Sequence, residues 1–355
     1  MSDYAFSLMK KFASSSYGRG IGGFALLSIA LFANCATIRL DSHYTGPAPR
    51  SESLCSEFAV PASWSVKRAE RKAEGFERLA IDWPDRESSE QPLLIMDYYP
   101  SSQPGLHPGI LISPILGGEN RIASHFARYL SERGYHSLVV HRPPEFFKGT
   151  PHIDHIEDQL RNAVIRDCLA LDWLAARPEV DGDALGSFGI SYGGIKNVIL
   201  AAVDQRLKAN VFALAGGDLA SIFNHSNLKK IRRFRNYSIK KNKTTPREWE
   251  KLVREKMLAE PLRCARFVDA DRCMMILARM DHTVPRRNGE LLRKALGRPK
   301  TVYLPAGHYS AVFFTGFFLA PYVETQVIQF FDEQFRAQLP KISQSSTDTG
   351  RAPLR

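Results

Sequence analysis

The segment Ser187-Phe188-Gly189-Ile190-Ser191-Tyr192-Gly193-Gly194 constrains this chain more than any other stretch. It contains Gly-x-Ser-x-Gly. Ahead of it, Asp183 to Phe188 reads as a short turn running into a buried strand, and Ile195 to Val203 behind it reads as an apolar helix. A serine at such a strand–turn–helix junction is held in a strained backbone conformation, and the flanking glycines let strand and helix approach without a Cβ clash. Its hydroxyl stands clear of the sheet while the first helical N–H groups point at whatever it attacks. The five-residue pattern also occurs by chance, so a base, an acid and an oxyanion site must come from elsewhere in the chain.

Two further segments supply candidates. Cys273-Met274-Met275-Ile276-Leu277-Ala278 is a continuous apolar run bounded by charge, suited to a fully buried strand, and it places Asp281 at that strand's carboxyl end. Thr301-Val302-Tyr303-Leu304 is the next strand, followed by Pro305-Ala306-Gly307-His308, so His308 lies in a glycine-containing loop at the same end of the sheet. Nucleophile, acid and histidine thus occur in the order of the α/β-hydrolase superfamily. From about Arg78 to Arg336 the chain resembles that superfamily, in its serine esterase or lipase form.

The resemblance implies the roles. Ser191 is a poor nucleophile unless a neutral imidazole takes its proton; His308 would do so and later return it. Asp281 would accept the other ring N–H, fix the tautomer and stabilise the imidazolium. Asp218, in Ala215-Gly216-Gly217-Asp218, is a rival acid after the preceding strand, with Asp281 then a loop cap. His282 is a rival base on the wrong strand for the family pattern.

The oxyanion site needs two backbone donors. The resemblance makes one the amide of Tyr192. The other would come from Pro114-Ile115-Leu116-Gly117-Gly118, after the buried strand Gly109 to Ser113. Many family members carry His-Gly here and this chain has Pro114-Ile115, which leaves Leu116 as the favoured donor and Ile115 as the alternative. The same turn could also serve no catalytic purpose.

With 355 residues and 44% of them hydrophobic, the chain can bury one α/β domain of about 260 residues. Strands are expected at Phe76 to Trp83 and Leu93 to Tyr99, paired as a hairpin around a polar loop, and at His136 to His141 and Leu207 to Ala215. Helices are expected at Glu119 to Arg133, stopped by Gly134, at Asp158 to Ala176, and at Tyr322 to Phe335. This alternation predicts a mostly parallel sheet with helices on both faces and a helical lid inserted after the sixth strand. The domain is placed at 76–336, with a tether and N-terminal extension at 36–75 and a disordered tail at 337–355.

The first 35 residues read separately. Lys10, Lys11 and Arg19 precede the uncharged apolar stretch Gly20 to Ala33, a pattern of secretory signals. Leu31-Phe32-Ala33-Asn34-Cys35 resembles a bacterial lipobox, which would make Cys35 a lipidated N-terminus. An uncleaved anchor and an ordinary signal are the alternatives, since Gly20 to Ile38 is a charge-free window of 19 residues. Each outcome puts the domain in the cell envelope, membrane-anchored or secreted. Of the other cysteines, Cys168 and Cys273 fit small buried apolar positions. No spacing suggests a metal site, and Pro151-His152-Ile153-Asp154-His155 reads as a surface loop.

The formal charge is +11, and most of it is local. Between Ser221 and Glu260 twelve Lys and Arg face four Glu, within the proposed lid at 219–262. Thr245-Pro246-Arg247-Glu248 is a helix start, and Trp249, Leu252, Val253 and Met257 form an apolar face able to cover a pocket. The charge could serve solubility, or attract an anionic membrane surface or an acidic substrate. No nucleic-acid recognition fold is apparent. The resemblance therefore implies an exported or tethered serine hydrolase, needing no cofactor, that cleaves a small or lipid-like carboxylic ester. A serine peptidase of the same fold and a non-catalytic envelope binding protein are the alternatives.

Overall fold

The computed structural model describes residues 35–50, 57–58, 63–82, 93–117, 120–142 and 152–336. Ten strands form one sheet, in the order β1-β10-β9-β8-β7-β5-β6-β4-β3-β2. They are β1 Ala36–Ile38, β2 Ser65–Arg71, β3 Glu77–Asp82, β4 Leu94–Tyr99, β5 His107–Ser113, β6 His136–Val140, β7 Val180–Ile190, β8 Leu207–Ala213, β9 Cys273–Ala278 and β10 Lys300–Leu304. The run from β10 to β6 is parallel throughout. The hairpin expected from the sequence is there as antiparallel β3 and β4, and β4 joins β6 antiparallel.

Helices cover both faces. On one side α1 (Arg121–Ser131) and α9 (Tyr322–Arg336) pack; on the other, α2 (Ile153–Ala175), α3 (Tyr192–Val203) and α8 (Arg286–Ala295). β9 shows why its sequence is uninterrupted by polar residues. Met274, Ile276 and Ala278 enter the core under α1 and α9, while Cys273, Met275 and Leu277 enter the core under α2 and α3. A strand buried on both faces has no position for a solvated side chain. α1 obeys the other period: Ala123, Phe126, Ala127 and Leu130 are buried. Gly134, at φ +89°, turns the chain back toward β6.

The insert after β8 holds α4 (Leu219–His225), α5 (Lys229–Asn242), α6 (Pro246–Lys256) and the single turn α7 (Pro261–Cys264). α6 begins with the expected capping box: Thr245 Oγ1 accepts from the Glu248 amide, and Glu248 accepts from the Thr245 amide. Trp249, Val253 and Met257 are buried in the core shared with α2 and α3, with Phe234 edge-on to Trp249 at 5.9 Å. Both Glu157 carboxylate oxygens on α2 accept from the Ala259 amide at 3.0 Å, which fastens the insert to the domain.

Three expectations need correction. The stretch 36–75, expected as tether and extension, contributes β1, antiparallel to β10, and β2, antiparallel to β3. β2 carries the fully exposed sequence SVKRAER at the sheet edge, so it has no apolar alternation to read. Of the expected surface loop at 151–155, residues 152–155 instead begin α2: His152 is its N-cap, accepting from the Asp154 amide, and Ile153 is buried. β7 begins at Val180, where a turn was expected at Asp183. The signal segment through Asn34, the loop 84–91, Gly118 and the tail 337–355 lie outside the described residues.

Candidate active site

Ser191 sits between β7 and α3 at φ 57°, a left-handed conformation that non-glycine residues rarely adopt. Such strain persists only where the surroundings impose it. Here the Ser191 amide donates to the Ala213 carbonyl of β8 at 2.8 Å, and its carbonyl accepts from Ile195 in α3. A Cβ on Gly189 would overlap the backbone of Gly193, so strand and helix close on each other only as glycines. Two glycines and one strained serine thus form a single device that lifts the hydroxyl off the sheet.

The three expected side chains meet. Ser191 Oγ lies 2.9 Å from His308 Nε2, and His308 Nδ1 lies 2.6 Å from Asp281 Oδ2. The other Asp281 oxygen accepts from the amides of Thr283 (2.8 Å) and Val284 (3.0 Å). A carboxylate facing Nδ1 makes that nitrogen the donor, which leaves Nε2 as the acceptor for the serine proton. All three side chains are almost fully buried, so their hydrogen bonds are shielded from competition by water.

The rivals stand elsewhere. Asp218 caps α4 by accepting from the Ser221 amide, and it pairs with Arg254 at 3.0 Å. The His282 carbonyl accepts from the Asn227 amide at the start of the insert, and no bond ties its ring to Ser191.

Tyr192 opens α3, so its amide belongs to the helical turn that lacks internal acceptors. Ile115 and Leu116 follow β5, whose last residue, Ser113, lies beside Gly189 of β7. The Ile115 carbonyl accepts from Arg142 Nη1 at 3.4 Å, and Arg142 also donates to Asn120 Oδ1 at 3.2 Å. This bond points the carbonyl of Ile115 toward Arg142 and fixes one side of the loop.

Beneath Ser191 lies a polar layer that sequence reasoning missed. Lys196 of α3 pairs with Asp167 of α2, and Ser113 Oγ donates to the same carboxylate at 3.3 Å. Burial pushes Asp167 up and Lys196 down from their ordinary values, each against the attraction of the other. The neighbours of the fully buried Asn197 fix its amide orientation: with nitrogen toward Ser113 Oγ (2.8 Å) and the Gly193 carbonyl (3.1 Å) it donates to both, and its oxygen accepts from the Gly189 amide (3.2 Å). These groups lock β5, β7 and α3 together under the serine. The signal was present: Lys196 and Asn197 interrupt the apolar run Ile195 to Val203. A charge inside a buried helix calls for a buried partner.

Sequence and structure comparisons relate the fold to known proteins. The prolyl oligopeptidase family model matches residues 122–306, just over half of the chain. That span contains Ser191 and Asp281 and stops two residues before His308. No curated protein matches the sequence. Acetyl xylan esterase 1 from Thermoanaerobacterium sp. JW/SL YS485 superposes with a TM-score of 0.60 at 15% identity, over 84% of this chain and 100% of the other. Acetyl xylan esterase from Paenibacillus sp. R4 gives 0.54 at 16% identity, over 80% and 92%. A 2,6-dihydroxy-pseudo-oxynicotine hydrolase gives 0.52 at 16% identity, over 76% and 69%.

Proposed function

The chain belongs to the prolyl oligopeptidase family, and on that footing we propose that it hydrolyses a carboxylic ester by acyl transfer through Ser191. Its fold is that of the α/β hydrolases, and it is a hydrolase. The observation that carries the proposal is the unbroken chain Ser191 Oγ–His308 Nε2 and His308 Nδ1–Asp281 Oδ2.

Ser191 attacks the carbonyl carbon while His308 Nε2 takes the hydroxyl proton. Asp281 holds the Nδ1–H side and stabilises the imidazolium. Negative charge on the carbonyl oxygen falls to the Tyr192 amide and to Leu116, with Ile115 the alternative donor. His308 then gives its proton to the leaving alcohol, which departs. Water attacks the acyl-serine as His308 takes its proton; the acyl–oxygen bond then breaks, the acid leaves, and His308 returns that proton to Ser191 Oγ. No cofactor enters any step.

The choice of ester draws on neighbours of the same fold that are esterases; the family's name favours a peptide bond as the second reading. The insert at 219–262 is proposed as a lid, because its Asn227 is bonded to the loop that carries Asp281 and His282. Residues 1–35 are proposed as an export or anchoring signal on their sequence alone.

Labelling with a fluorophosphonate probe tests the serine directly. The full chain should label and Ser191→Ala should not. Nitrophenyl esters of increasing chain length, set against aminoacyl anilides, then separate the two readings. Labelling with turnover of anilides only would replace the ester by a peptide; no labelling of folded protein would refute the enzyme.

A further inference from the structure

Large apolar side chains are exposed in unusual density just past His308. Tyr309, Phe313, Phe317, Phe318 and Leu319 fall within eleven consecutive residues, and Met280 precedes Asp281; each is between 38% and 56% exposed. They cohere as a surface. Phe313 and Phe317 both stand edge-on to Phe318, at 5.7 and 5.0 Å, and the Met280 amide donates to the Ala306 carbonyl, joining the two loops. Contiguous apolar surface of this kind on a folded chain marks a contact site.

The path of the chain identifies what the surface meets. Ala36 pairs with Tyr303, so Cys35 lies one residue further on, at the carboxyl end of β10 from which the His308 loop departs. Cys35 and Tyr322, the latter three residues after Leu319, both pack against the core under α1 and α9. The uncharged apolar run Gly20 to Ala33 ends two residues before this cysteine in sequence. The described chain therefore begins, at Cys35, at the end of the sheet from which the His308 loop departs. On the other side of the Asp281 loop, Asn227 is bonded to Thr283 and His282, and α5 begins with Lys229 and Lys230. Aromatic rings and a strongly basic helix that flank the same Asp281 loop suit the interface of an anionic bilayer, where rings sit among headgroups and cations meet phosphate.

We propose that the loop 309–319, with Met280, docks on an anionic phospholipid surface and sets the mouth of the Ser191 site against it. A substrate would then reach the site from the lipid phase. The docking surface stands on the exposed residues and on the place of Cys35, independently of the bond that Ser191 breaks.

Tryptophan placed in the surface reads the contact. Phe318→Trp and Leu106→Trp are compared in the full chain, each against the parent protein's own emission. Leu106 is exposed and precedes β5, at the end of the sheet opposite Ser191. The vesicles are phosphatidylglycerol and phosphatidylethanolamine bearing brominated acyl chains. On adding them, the emission contributed by Phe318→Trp should move to shorter wavelength and fall at least twofold. The emission contributed by Leu106→Trp should be unchanged. Equal quenching in both variants, or none in Phe318→Trp, overturns the proposal. So does an indole already shielded in Phe318→Trp without vesicles, which would mean that another part of this chain or a second copy covers the surface. Fluorophosphonate labelling of the same Phe318→Trp protein separates failure of docking from failure of the serine chemistry.

Discussion

Gly193 sits against the carbonyl of Ser113 with no room for a side-chain carbon between them: a Cβ there would overlap the Ser113 oxygen and approach the Pro114 carbonyl at 2.8 Å. The turn after the nucleophile thus rests directly on the strand end that leads into Pro114 to Leu116. Gly193→Ala must push the two apart. Overpacking of this kind costs about 1–3 kcal/mol of stability, read by urea unfolding. Displacing a proposed oxyanion donor by about 1 Å should also lower kcat by on the order of 10²-fold.

Asp281→Asn keeps the size of the side chain and an oxygen for the Thr283 and Val284 amides. It presents an N–H₂ group to His308 Nδ1, which must then be an acceptor, and the ring proton moves to Nε2. The base then faces Ser191 with a donor. A fall in kcat on the order of 10⁴ is expected with folding intact, checked by ester turnover and by thermal unfolding of the same sample.

Lys196→Met leaves the Asp167 carboxylate buried without its cation, and a loss of roughly 3–5 kcal/mol is expected. Adding Asp167→Leu removes the stranded charge, and Ser113 keeps Asn197 as a partner. The double variant should recover most of the loss. Denaturant midpoints of the four proteins in this cycle check the coupling.

Asp97 on β4 predicts behaviour in acid. Its burial alone would raise the carboxyl pKa. The bidentate bonds from Arg78 (2.7 and 2.8 Å) and the contact with His141 (2.8 Å) outweigh that and hold it below the usual carboxylate range. A lowered folded-state value means that the stabilisation is complete above the unfolded value of about 4 and is lost as pH falls through the folded value. Arg78→Gln removes the main cause, so its acid unfolding, followed by circular dichroism, should begin at higher pH than that of the parent.

Much of this was legible in the chain, for identifiable reasons. The run Cys273 to Ala278 and the alternation of helix and strand announce a sheet buried on both faces. Ser191, Asp281 and His308 are found from sequence because each ends a strand in a fixed order. β1 and β2 were not legible: one is three residues long, and the other has no buried side at all. Asn197 and the Lys196–Asp167 pair were hidden for the opposite reason. Their helix is so apolar that its polar members read as interruptions, although the fold uses them to hold the nucleophile turn.

The exposed strand β2 has a consequence for how the protein behaves in concentrated solution. A ten-stranded sheet with an open margin is a template on which a second molecule can lay its own strand. Here that margin carries Lys67, Arg68, Glu70 and Arg71, and its register slips between Val66 and Arg68. An incoming strand would meet a kinked ladder and a row of solvated charges. At the opposite margin the edge is β1, only three residues long, laid antiparallel on β10. Among the described residues neither margin therefore offers a long, regular apolar ladder on which a foreign strand could settle.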